Sequence, residues 1–157
     1  MSKEHLATYL NDHLAGAHFA LEILDHLVDE ASDWKAALTA LRTDIEQDRK
    51  QLKALMAGIS IDESRVRKAS GWLAEGLAEV KMNIDDDSNG PLRRLERLEA
   101  LAIGIEGKIA LWRSLAVSAE SNVALAKIDY QRLDERGRDQ RARVEALRLE
   151  AARGALT

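Results

Sequence analysis

A chain of 157 residues with 46% hydrophobic and 32% charged content is long enough to bury one continuous core. A net charge of −4 excludes the broad cationic surface that nucleic acid or anionic lipid would need, and zero cysteines exclude disulfides, thiolate zinc sites and cysteine nucleophiles. Nine glycines and a single proline among abundant Ala, Leu, Glu, Arg and Lys favour helices, so the expectation is an all-α protein of one domain over residues 1–157.

The first predicted helix covers about residues 3–31, because Leu6, Leu10, Leu14, Ala17, Leu21, Leu24 and Val28 recur along one stripe. Its beginning has no apolar run of signal-peptide length, and no segment reaches the roughly 18 apolar residues of a membrane span, so a soluble, cytoplasmic protein is expected. Ser32 and Asp33 offer an N-cap for a second helix over about 33–59. There Trp34, Leu38, Leu41, Ile45, Asp48, Leu52, Leu55 and Ile59 follow alternating four- and three-residue steps, the seam of helices packed at shallow angles, and Asp48 is its only charge.

A shorter amphipathic helix follows at about 63–82, with Val66, Ala69, Trp72, Leu73, Leu77 and Val80 on one face. The run Asp85 to Pro91 then breaks the chain, since Asn89 and Gly90 tolerate left-handed backbone and Pro91 suits a first helical turn. A third long helix over about 91–118 carries Leu95, Leu98, Leu101, Ile105, Ile109, Trp112 and Ala116. A fourth over about 122–153 carries Val123, Ala126, Tyr130, Leu133, Gly137, Gln140, Val144, Leu147 and Ala151. Two adjoining helices, a long connection holding a small helix, and two more long helices give an up-down four-helix bundle with one crossover.

Element order, together with Leu24-Asp-His-Leu-Val-Asp-Glu-Ala31, Ile45-Glu-Gln-Asp-Arg-Lys-Gln-Leu52, Ala69-Ser-Gly-Trp-Leu-Ala-Glu-Gly76 and Ile109-Ala-Leu-Trp-Arg-Ser-Leu-Ala116, resembles the ferritin-like superfamily. Closest in pattern are the small bacterial stress-associated ferritin-like proteins with a short crossover helix. The resemblance implies a di-metal site at mid-height, built from one inward Glu on each of two helices and a Glu-x-x-His pair on each of the others. By seam position, the single-Glu places fall at Ala17 and Ile105. The paired places fall at Asp48 with Gln51 and at Gly137 with Gln140. One carboxylate and no histidine remain, too few to hold two iron or manganese ions. A register shifted by a turn would bring in Glu22, Glu46, Glu106 or Glu135, all off the apolar stripes.

Other candidate chemistry is local. Asp85, Asp87, Asn89 and Glu96 match the oxygen spacing of a calcium loop with Gly90 at its turn; Pro91 and Arg93 oppose that reading, and an acidic turn ahead of a helix is its plain equivalent. His5, His13, His18 and His26 share the first helix without the four-residue spacing that sets two imidazoles side by side. His13 borders the apolar stripe and is a candidate hydrogen-bond partner of Asp48; Arg141 is a candidate to reach Asp48 from the fourth helix. The arginines of that helix alternate with acids, which describes a solvated face and not a nucleic-acid surface.

The bundle-centre polar set is therefore His13, Asp48, Gln140 and Arg141. The expected function is a non-catalytic structural or protein-interaction module with no cofactor, self-associating as a homodimer through Phe19, Ile23, Ile103 and Leu111. Its rivals are a di-iron or di-manganese oxidase with an atypical site and a calcium-binding module. Ala17 and Gly137 also predict a cavity or a close helix approach at mid-height.

Overall fold

The computed structural model describes residues 3–63 and 90–157. Among them are four long helices and no strand: α1 (Lys3–Glu30), α2 (Lys35–Gly58), α3 (Pro91–Ala119) and α4 (Tyr130–Leu156). The crossover helix expected at about 63–82 lies outside the described residues, apart from Glu63 at its edge.

Local chemistry sets most of the boundaries. After α1, the Ala31 N–H donates to Leu27 O at 3.0 Å and the chain enters a tight turn, Ser32–Trp34. Ser32 and Asp33 were expected to cap α2. They form this turn instead, and neither side chain caps the helix. Helix α2 closes with Ser60 in the left-handed region (φ 56°), so that Ile61 N–H reaches back to Met56 O at 2.9 Å and Ser60 N–H to Ala57 O at 3.2 Å. Buried Ile61 fastens this end to the core. Helix α3 starts at Pro91, which is preset for a first turn and needs no N–H partner there.

Helix α4 begins later than the expected residue 122. Asn122 does act as a cap, but of a separate short turn, Val123–Leu125, and its side chain accepts from Ala124 N–H at 3.2 Å. Tyr130 Oη donates to Leu125 O at 2.8 Å and pins that turn, while the Asp129 carboxylate accepts from Arg132 N–H at 3.1 Å and caps α4. Val123 consequently faces solvent, 82% exposed, and is no part of the seam.

Two apolar clusters fix the helix directions. One joins the C-terminal half of α1 (Leu21, Leu24, Leu27) to the start of α2, the start of α3 (Leu95, Leu98) and the end of α4. The other joins the N-terminal half of α1 (Leu10, Leu14) to the end of α2, the end of α3 (Trp112, Leu115) and the start of α4. Helices α2 and α3 therefore point the same way, each beginning at one end of the bundle and finishing at the other. The end of α2 and the start of α3 thus lie at opposite ends of the bundle, about 36 Å apart at ~1.5 Å per residue of α2. The all-α bundle with one crossover follows from that geometry.

The seam residues of α1, α2 and α3 are buried or half-buried throughout. Ile23 and Leu111, expected to widen outward stripes, are buried inside the protomer, which leaves half-buried Phe19 and Ile103, 73% exposed, as the outward members of that set. Helices α3 and α4 pack closely at Gly137, where a Cβ would sit 2.6 Å from Ile109 Cγ1. Across the bundle, long polar side chains link α2 to α4: Arg143 pairs with Asp44, and Arg136 donates to Asp44 O and to Gln47 Oε1, both at 3.2 Å.

Candidate functional site

At mid-height the two apolar clusters are separated by a polar layer. Asp48 from α2 is 3% exposed, and a carboxylate so deeply placed needs a cation or several donors to offset its lost hydration. The cation is Lys108, three residues past Ile105 on α3. Its Nζ lies 2.5 Å from Asp48 Oδ2 and also donates to Gln140 Oε1. Gln140, three residues past Gly137 on α4, donates its Nε2 to the same Asp48 Oδ2 at 2.8 Å. Arg136 Nη2 stands 3.1 Å from Asp48 Oδ1, an ion pair without hydrogen-bond alignment. One carboxylate thus faces two cations, and the Asp44 carboxylate, one turn earlier on α2, also acts on Lys108. Burial pushes the Lys108 ammonium below the ordinary lysine range, and the adjacent Arg136 pushes the same way, while the charge and hydrogen bond of Asp48 oppose the shift.

The structure brings Asp48 and Gln140 together and leaves the other two expected members out. Arg141 does not reach Asp48; it lies one residue beyond Gln140, which turns it away, and it pairs with Glu145 at 2.9 Å and Glu106 at 3.3 Å. His13 makes no hydrogen bond to Asp48. Its ring meets Tyr9 edge-on at 4.7 Å, and burial lowers its pKa to about 4, so it is neutral near pH 7. His18 lies against Arg49, with Nδ1 to Nη1 at 3.4 Å.

Lys108 and Arg136 were missed by sequence reasoning. The signal for them was Asp48 itself: a lone carboxylate in an apolar seam requires a cation within one turn of the same height on a facing helix. Both lie within a turn of Ile105 and Gly137. They flank the stripes and do not fall on them, and their long stems carry the charge inward.

The donor set does not fit the two metal ions that the family resemblance implies. Asp48 is its single carboxylate, the place of a cation beside it is taken by Lys108, and among the described residues no three His, Asp or Glu side chains converge. The off-stripe acids stay outside: Glu46 pairs with Arg49, Glu106 with Arg141, Glu135 accepts from Gln131, and Glu22 is exposed. Of the calcium candidates, Asp85, Asp87 and Asn89 lie outside the described residues, and Glu96 pairs with Arg93 at 3.1 Å.

Beside the polar layer, a cleft of about 290 Å³ opens between α1, α2 and α3. Small residues shape it: Gly16, Ala17 and Ala20 from α1, and Ala100, Gly104 and Gly107 from α3. His13, Asp48, Arg49, Lys108 and Trp112 also line it, but its wall is almost wholly apolar. The Trp112 indole N–H is buried and has no acceptor among the described residues. Ala17 thus borders open space and Gly137 marks a close approach, so the two small mid-height residues serve different ends.

Comparison with known proteins finds no matching family model, no matching curated protein and no matching solved structure. Among the described residues, no helix is long and apolar enough to cross a membrane.

Proposed function

We propose that this chain is a ferritin-like bundle in which a lysine ammonium stands where the di-metal centre would be, and that it serves as a non-catalytic structural and binding module. Lys108 carries the reading. Its Nζ contacts both Asp48 and Gln140, the side chains at the two positions where the resemblance places paired metal ligands. A cation supplied by the polypeptide neutralises Asp48 independently of metal supply, and a second cation beside it would meet the repulsion of Lys108 and Arg136. The parallel run of α2 and α3, with a connection spanning the bundle between them, supports the same assignment.

Elemental analysis tests it, on protein purified from medium rich in iron and in manganese. Far less than one metal ion per chain is expected, with no oxidation of ferrous iron above the protein-free rate. About two ions per chain, the load of a di-metal bundle, would overturn the reading in favour of an oxidase or iron-handling protein.

A further inference from the structure

Helix α3 carries two uncharged seams. Leu98, Leu101, Ile105, Ile109 and Trp112 face the core. On the opposite side Ile103, Gly107, Ala110, Ser114 and Val117 repeat the alternating four- and three-residue steps of helices packed at shallow angles, again without a charge. This second seam is open to solvent: Ile103 is 73% exposed, Val117 67%, and Ala110 and Ser114 are exposed between them. Gly104 and Gly107, beside and within it, have nothing within 4 Å of the place a Cβ would take. A glycine inside a helix is destabilising relative to alanine. Ile109 accounts for Gly137, whereas these two glycines have no such neighbour among the described residues and leave the backbone of α3 open to close approach from outside.

We propose that the outward seam of α3 is the contact for a second copy of this chain, the two α3 helices lying antiparallel about a two-fold axis. The charges beside the seam choose the occupant and its direction. Glu106 and Arg113, seven residues apart, border it on one side; they pair within the protomer with Arg141 and Asp134, and each side chain stays 60% exposed. An axis passing midway between Ile109 and Ala110 sets Glu106 against the partner's Arg113 and Arg113 against the partner's Glu106, two equivalent ion pairs from one chain's own residues. Ile103 then meets the partner's Val117, and Gly107 comes level with the partner's Ala110. A parallel pair would bring each charge level with its own copy and make neither ion pair. Of the residues expected to carry a homodimer, Ile103 alone belongs to this seam: Phe19 lies on α1, and Ile23 and Leu111 are buried in the protomer.

A seam of roughly four helical turns is at the small end of protein interfaces, so the dimer should dissociate on dilution, with a Kd of about 1–100 µM. Sedimentation velocity of the full chain from about 1 µM to about 1 mM should show a reversible monomer–dimer equilibrium. Ala110→Glu, at an exposed position next to the axis, sets two acids face to face and should weaken association at least about tenfold while the helical circular dichroism stays unchanged. Arg113→Glu should weaken it by about tenfold, and adding Glu106→Arg should restore it, because reversing both charges regenerates both ion pairs.

The chain has no cysteine, so a single introduced thiol reports the direction of the contact. Under mild oxidation Ala110→Cys should form an intermolecular disulfide, because the two copies of that position lie across the axis from each other. Val117→Cys should not: its two copies would stand about 22 Å apart at ~1.5 Å per residue, and a disulfide needs Cα atoms within about 7 Å. The proposal is overturned by a chain that stays monomeric at about 1 mM, a concentration far above the expected Kd. It is equally overturned by a dimer that Ala110→Glu leaves as tight as before, by a reversed charge pair that does not restore association, or by equal disulfide formation in the two cysteine variants.

Discussion

Asp48 and His13 resolve burial in opposite ways, and each choice has a measurable consequence. Asp48 is surrounded by partners, Lys108, Gln140 and Arg136. His13 gives its charge up: burial holds its pKa near 4, whereas an unfolded histidine titrates near 6.5. Between those values the unfolded chain binds a proton that the folded chain does not, so stability falls as pH drops from about 6.5 to about 4 and is unaffected by this group above that window. The groups sharing the cleft with His13 are Asp48, Arg49 and Lys108, and Tyr9 covers its ring. The contribution reaches at most roughly 3.5 kcal/mol at the acid end, from ~1.4 kcal/mol per pH unit. Urea unfolding at a series of pH values should therefore give a shallower slope across this window for His13→Leu than for the unaltered chain. Parallel slopes would show that His13 titrates normally when folded.

The same residues show how far side-chain placement could be read from the chain. Asp48 and Gln140 were visible because a fixed seam spacing passes through them. Lys108 was not, because its Cα sits beside the stripe and only the end of a flexible stem enters the core. Arg141 failed for the converse reason: proximity in sequence to Gln140 suggested an inward reach, but successive helical residues differ by about 100° in direction, and this one meets Glu145 on its own helix.

At the scale of elements, the contact of α3 with α4 turns on one missing methyl. Ile109 fills the space where a Cβ of Gly137 would stand, at 2.6 Å from its Cγ1, and the β-branch of Ile109 leaves that atom little freedom to retreat. Gly137→Ala should destabilise the protein by about 1–3 kcal/mol, the cost of overpacking, despite the helix propensity it gains. Gly154→Ala on the same helix meets no neighbour within 4 Å and should stabilise it by up to ~1 kcal/mol. Opposite shifts in melting temperature for one substitution at two sites of α4 would separate packing from propensity; a gain at both would place α4 farther from α3. The small residue at this height was legible, but its role was not, because a gap in a seam is equally compatible with a void and with a close neighbour. Boundaries were legible where a cap or Pro acted alone. At the start of α4 two cap residues, Asn122 and Asp129, compete, and the buried Tyr130 contact to Leu125 gives the helix to the second.

For the whole molecule, the decisive feature is a polar layer between two apolar clusters, at the height where four seams converge. The chain order disclosed the crossover, since two short connections flank one long one and each short connection reverses direction. It did not disclose that the layer is satisfied from within. A buried carboxylate–ammonium contact is commonly no more stable than apolar side chains of the same volume, because desolvation of both charges offsets their attraction. Replacing the layer in one step, as Asp48→Leu, Lys108→Met and Gln140→Leu, would join the two clusters into a single apolar core. Arg136 would not be stranded: it is half-exposed and keeps Asp44 O and Gln47 Oε1 as acceptors. The triple variant should be as stable as the unaltered chain or more stable by up to about 4 kcal/mol, read as a raised guanidinium midpoint at unchanged denaturant slope. The single variant Asp48→Leu should lose about 3–5 kcal/mol, because it leaves Lys108 buried without its counter-charge. Gain in the triple and loss in the single would mean that the layer is not retained for stability. A triple variant that loses stability would instead make the layer a structural necessity of this bundle.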